Sequence, residues 1–128
     1  MAGLLSRERL ALWLPAVAYM AFIFALSSVS TPPELPAGAD KKLHAVLYAG
    51  LGALLARALA GGTRRVTGAT IVLATIVGTA YGVSDEFHQY FNPPRSVELL
   101  DVVADAIGSA LGAGTAYAWG IIRARDGV

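Results

Sequence analysis

The stretch Val66–Ser84, VTGATIVLATIVGTAYGVS, runs for 19 residues without a charged side chain. Inside it, Ala69–Ala80 (ATIVLATIVGTA) offers nothing more polar than threonine. A helix in a soluble bundle needs a polar stripe along its outer face, and this segment has none. A spanning helix needs roughly 20 mainly apolar residues, within a range of about 17–25. Three other uncharged runs flank it: Leu10–Pro33, Leu43–Ala56 and Ala106–Ile122. The second reaches spanning length if His44 sits at one headgroup layer and Arg57 snorkels to the other. The pattern predicts an all-α integral membrane four-helix bundle, one domain over 1–128, with helices at 9–28, 43–61, 66–90 and 100–122.

Composition agrees. Of 128 residues, 55% are hydrophobic and 15% charged, against a usual charged share near 25%. Disorder is excluded, because it needs low hydrophobicity and high net charge. With no cysteine in the chain, disulfides, Cys-ligated metals and thiol nucleophiles are excluded. A net charge of +1 gives no reason to expect nucleic acid. A secretory signal peptide is the ordinary alternative for the first segment, since Arg7 and Arg9 precede it. Its uncharged run is longer than a typical h-region of about 7–15 residues, so an uncleaved helix is expected.

The charges divide by side. The N-terminus, the 57–65 loop and the C-terminal tail carry Arg7, Arg9, Arg57, Arg64, Arg65, Arg123 and Arg125 against Glu8 and Asp126. The 29–42 and 91–100 loops and adjoining helix ends carry Lys41, Lys42 and Arg95 against Glu34, Asp40, Asp85, Glu86, Glu98, Asp101 and Asp105. By the excess of Lys and Arg in cytoplasmic loops, both termini are expected in the cytoplasm and the acid-rich end outside. Pro32, Pro33 and Pro36 break the chain after helix one, Gly61-Gly62 closes helix two and Asn92-Pro93-Pro94 stops helix three. Pro15 marks either a kink in helix one or a place near its start. Trp13, Tyr117 and Trp119 suit an interfacial belt or core packing.

Residues three and four apart share a helix face. Lys41, His44, Tyr48 and Gly52 therefore form one stripe on helix two. Gly78, Gly82, Asp85, Glu86 and Gln89 share an arc on helix three, with His88 beside it. Asp101, Asp105, Gly108 and Gly112 align on helix four. The pairs Gly78/Gly82 and Gly108/Gly112 let helix backbones approach closely in lipid. All three stripes lie at the predicted outer end, which points His44, Asp85 or Glu86, Asp101 and Asp105 at one another inside the bundle mouth, with Arg95 over it. Ionisable residues in membrane segments are costly and mark functional sites by default; a hydrogen-bonded latch between helices is the structural alternative. His44 and the acids suit acid–base chemistry, and Arg95 with Lys41 suits an anionic head group. His44, His88 and the acids also make a divalent metal an open option, although no HExxH-type motif is present and no other cofactor is predicted. Walker, dinucleotide and GxSxG motifs are missing.

The same residues resemble the VanZ-like family of small bacterial membrane proteins. Asp40-Lys41-Lys42-Leu43-His44 followed by Tyr48 is similar to its D-K-x-x-H-x-x-x-Y motif. Asp85-Glu86 with Gln89 and Phe91 is similar to its D-E-x-x-Q-x-F motif. Arg95, Asp101, Asp105, Gly108 and Gly112 resemble its R…D-x-x-x-N-x-x-G-x-x-x-G pattern, and Leu26-Ser27-Ser28 its L-S-S ending of helix one. Asp105 stands where the family often has Asn, and Pro94 where a glycine often precedes the Arg. The resemblance implies a multi-span protein of the bacterial cytoplasmic membrane, in a family whose named member is associated with reduced susceptibility to teicoplanin. The expected function is an outward polar pocket, contributed by Lys41, Tyr48, His88, Gln89 and Arg95 beside the acids, that binds a membrane lipid, a lipid-linked cell-wall precursor or the lipoglycopeptide. The alternative is a lipid-modifying enzyme acting on a lipid phosphate, with His44, Asp85, Glu86, Asp101 and Asp105 as candidate catalytic groups. A coupled transporter ranks lowest, because the mid-membrane stretches carry no charge; at this size it would need a homo-oligomer.

Overall fold

A computed structural model of the chain describes residues 6–28, 36, 38–91 and 98–125. Four α-helices account for nearly all of them: α1 Arg7–Ser27, α2 Ala39–Ala60, α3 Gly68–Tyr90 and α4 Leu99–Arg125, with a 3-10 turn at Thr63–Arg65. Each is long and apolar enough to cross a membrane. At about 1.5 Å per residue they reach a little beyond the roughly 30 Å hydrocarbon layer.

The helix ends follow local chemistry. The Ser6 hydroxyl accepts from the Arg9 N–H and opens α1, while Pro15 lies in the interior of that helix. α2 closes on Gly61 (φ 82°) and Gly62 (φ 141°). The Gly61 N–H donates to the Ala58 carbonyl and the Gly62 N–H to that of Arg57, a Schellman ending that left-handed backbone makes accessible mainly to glycine. α3 starts with a reciprocal pair: Thr67 Oγ1 accepts from the Thr70 N–H, and Thr70 Oγ1 accepts from the Thr67 N–H. That box moves the start of α3 to Gly68, two residues past the expected one.

The larger departure is at α2, which begins at Ala39 where 43 was expected. Asp40, Lys41 and Lys42 are therefore helical. Asp40 suits the positive end of the helix dipole, and Lys41 finds carboxylates on α4, so these charges need no solvated loop. α4 likewise runs on to Arg125.

The bundle is inside out. Val46, Val72, Phe87 and Leu111 are more than half exposed, whereas Asp85, Glu86, Gln89, Asp101, Asp105 and Ser109 are buried. A water-soluble protein buries the first kind and exposes the second; a protein surrounded by lipid does the reverse at a site it protects. The interior between the polar end and the basic end is filled by Leu51, Leu55, Ala56, Ala74 and Ala113.

α2 and α4 run parallel and nearly touch through small residues. A Cβ added at Gly108 would strike the Ala45 carbonyl, and one at Gly112 that of Ala49. From the other side, a Cβ at Gly52 would strike the Ser109 backbone. α3 crosses the same seam antiparallel, and its glycines make room for polar side chains of α4: Gly78 for Ser109 and Gly82 for Asp105. α1 packs outside, against α2 and α3. Its Tyr19 hydroxyl donates to the Leu47 carbonyl at 2.6 Å, and the Tyr81 hydroxyl of α3 donates back to the Met20 carbonyl of α1 at 2.5 Å.

Candidate functional site

Because α2 and α4 start at the end where α3 finishes, their polar turns meet there. The close approach allowed by Gly108 and Gly112 brings His44 of α2 against Asp105 of α4. His44 Nδ1 lies 2.8 Å from Asp105 Oδ1. The other ring nitrogen, Nε2, lies 3.8 Å from Asp101 Oδ2. Asp105 has no exposed surface, and Asp101 is 6% exposed. Glu86 reaches in from α3, 4% exposed, and its Oε2 accepts from the Glu98 N–H at 3.1 Å. One donor atom from each of His44, Glu86 and Asp101 lies within 4.8 Å of the other two.

Lys41 closes the outer side. Its ammonium contacts Asp40 Oδ2 at 2.7 Å, Asp101 Oδ1 at 2.8 Å and Glu98. One lysine thus ties the first turn of α2 to the start of α4. Below His44, the ring of Tyr48 lies parallel to the imidazole, with centroids 6.4 Å apart. Tyr48 is 1% exposed. Asp85 is buried on α3 and interacts electrostatically with Tyr48 and Asp105. Gln89 is buried one turn further along.

Several buried polar atoms have no hydrogen-bond partner among the described residues: Tyr48 Oη, Glu86 Oε1, Asp105 Oδ2 and Ser109 Oγ. Leaving such an atom unsatisfied costs about 1–3 kcal/mol, more when it is charged.

The structure thus brings together Lys41, His44, Tyr48, Glu86, Asp101 and Asp105, with Asp85 and Gln89 buried on the same helix as Glu86. It takes His88 elsewhere. The His88 ring stacks on Phe24 with centroids 4.3 Å apart, and Nε2 lies 3.0 Å from Ser28 Oγ. It fastens α3 to α1 and is not paired with His44. Arg95 lies outside the described residues. Two further members carried little sequence signal. Glu98 meets the lysine from just ahead of α4, where periodicity is lost. Ser109 stands four residues after Asp105, so the stripe of α4 extends one turn deeper than its acids.

The opposite end has the reverse chemistry. Gly62, Thr63, Arg64, Arg65, Trp119 and Arg123 line a shallow cleft there.

A family model described as VanZ/LLP1 matches residues 6–122. The chain belongs to the VanZ/LLP1 family. The match spans all four helices, so every residue of the site falls within it. Among curated proteins and among solved structures, nothing matches the chain. As a VanZ/LLP1 member with four spanning helices it is a multi-pass membrane protein.

Proposed function

We propose that this VanZ/LLP1 chain is a receptor in the bacterial cytoplasmic membrane, binding the head of a membrane lipid or lipid-linked cell-wall precursor in an outward-facing polar mouth. The observation that carries the reading is the set of buried acceptors without partners, Glu86 Oε1 and Asp105 Oδ2, beside Tyr48 Oη. Acceptors held this way suit a head rich in hydroxyl and amide N–H donors, as a sugar–peptide precursor is. The arginine-lined far end supports the orientation, with both termini cytoplasmic. Reduced susceptibility to teicoplanin follows in this reading if the mouth holds the lipoglycopeptide or masks its target.

The test is binding of a lipid-linked disaccharide–peptide to the purified chain in lipid nanodiscs, followed by native mass spectrometry. Saturable binding that Glu86→Gln and Asp105→Asn both weaken at least about tenfold (1.4 kcal/mol) is expected. Binding no tighter than that of a plain anionic phospholipid overturns the reading.

A second reading, a lipid-modifying enzyme acting on a lipid phosphate, is favoured by the His44–Asp105 pair. A buried carboxylate bonded to one ring nitrogen fixes the imidazole for proton transfer at the other. It ranks second because Lys41, expected to grip the phosphate together with Arg95, is already engaged by three carboxylates. Unchanged lipid profiles on deletion and on overexpression would remove it.

A further inference from the structure

We infer that His44, Glu86 and Asp101 form a site for one first-row divalent metal ion, of the Zn²⁺ or Mn²⁺ class, with an open coordination position. Each of the three side chains has one polar atom tied down and a second left over. Asp105 holds His44 Nδ1 at 2.8 Å, which leaves Nε2. The Glu98 N–H holds Glu86 Oε2 at 3.1 Å, which leaves Oε1, buried and without a hydrogen-bond partner among the described residues. Lys41 forms an ion pair with Asp101 Oδ1 at 2.8 Å, and Oδ2 is the oxygen that lies toward His44 Nε2, 3.8 Å away. One ligand atom from each of the three residues lies within 4.8 Å of those of the other two.

This is the outer support that metal-binding histidines and carboxylates carry: the imidazole gives its other N–H to a carboxylate, and the ligating carboxylates are themselves hydrogen-bonded. The scale also fits. Metal–ligand bonds of about 2.0–2.1 Å put tetrahedral ligand atoms about 3.3 Å apart. His44 Nε2 and Asp101 Oδ2 stand at 3.8 Å, so a small rotation of either side chain closes the gap.

Charge points the same way. Glu86, Asp101 and Asp105 are buried close together, and Lys41 is shared with Asp40 and Glu98, which are more exposed. Buried charges persist when they are paired or coordinate a metal. A divalent ion neutralises two of these carboxylates. The imidazole nitrogen selects against Mg²⁺ and Ca²⁺, which prefer all-oxygen sites. The other acidic group at this end, Asp40, Glu98 and Asp101, surrounds the Lys41 ammonium and is already filled by it.

The inference draws on Glu86 Oε1, as the head-group reading does, but its test uses the metal alone, so the two can fail separately. Purified full-length chain in micelles, stripped with chelator, is dialysed against Zn²⁺, Mn²⁺ or Mg²⁺ and the bound metal is counted by mass spectrometry. One Zn²⁺ or Mn²⁺ per chain and a higher unfolding temperature are expected, with Mg²⁺ at least about 100-fold weaker. Asp105→Asn, which keeps all three ligands, lowers affinity about 10–100-fold; Glu86→Gln and His44→Ala lower it further. Less than about one-fifth of an equivalent on the wild-type chain overturns the site, and that result does not depend on any variant folding. Stoichiometric binding that survives His44→Ala and is lost in Glu98→Gln also overturns it, by moving the ion to the outer acids.

Discussion

Replacing Gly112 by alanine adds one methyl group in the α2–α4 seam, and the structure says what that methyl meets. It strikes the Ala49 carbonyl and comes within 2.8 Å of the Ala49 Cα. Carbon atoms rest at about 3.5–4.0 Å, so the two backbones must part by about 1 Å. Neither can yield alone, because both are helical main chain. Overpacking of this kind costs about 1–3 kcal/mol. Two residues further on, a Cβ at Gly114 meets nothing within 4 Å. Gly114→Ala therefore loses no contact and gains up to about 1 kcal/mol of helix preference. The same chemical change on one helix should split the two variants by about 1–4 kcal/mol, a ratio in unfolding constant of about 5 to several hundred. Reversible unfolding in mixed micelles, titrated with a denaturing detergent, measures the split. Stabilities equal within about 0.5 kcal/mol would refute the close α2–α4 contact and with it the means by which His44 reaches Asp105.

Other outcomes follow from the same geometry. Lys41→Met leaves Asp40, Glu98 and Asp101 without their shared cation. The loss should be about 1–3 kcal/mol in the same unfolding assay, between that of exposed pairs and that of buried ones, because Asp101 is nearly buried and Glu98 is not. His44→Ala and Asp105→Asn should be non-additive, with a coupling of about 1 kcal/mol or more in a double-mutant cycle, as contacting residues are; additive effects would separate them. For orientation, Glu98→Cys should react with an impermeant maleimide added outside intact cells, and Arg64→Cys only after permeabilisation. The opposite result would place the site on the cytoplasmic side.

Four spans were legible because lipid imposes a single requirement, an apolar stretch of fixed length; three runs meet it outright, and the second meets it with His44 and Arg57 at its two ends. The site was legible because a helix repeats every 3.6 residues, so Tyr48, Glu86, Asp101 and Asp105 announce a face before any packing is known. Glycines at 78, 82, 108 and 112 showed which faces approach. They did not show that Gly78 and Gly82 receive side chains while Gly108 and Gly112 receive backbone, since that depends on the crossing of three helices. Hydropathy placed the start of α2 too late, because it treats Asp40 and Lys41 as water-bound and cannot see an ion pair that lets them be helical. His88 lies only about 60° around α3 from Asp85, and a neighbouring ring, Phe24 of α1, takes it the other way. Ser109 was overlooked as one small residue in a helix rich in alanine and glycine, although its place one turn below Asp105 gave the clue.

The central claim is that three helices bring His44, Glu86, Asp101 and Asp105 into one buried cluster at one end of a membrane bundle. The chain has no cysteine, so engineered pairs are read without background. In membranes, His44→Cys/Asp105→Cys and Glu86→Cys/Asp101→Cys should each be joined rapidly by a short thiol cross-linker. Val46→Cys/Asp105→Cys, with Val46 69% exposed on the outer face of α2, should not. Failure of the first two pairs in folded protein, or equal cross-linking of all three, would contradict the cluster.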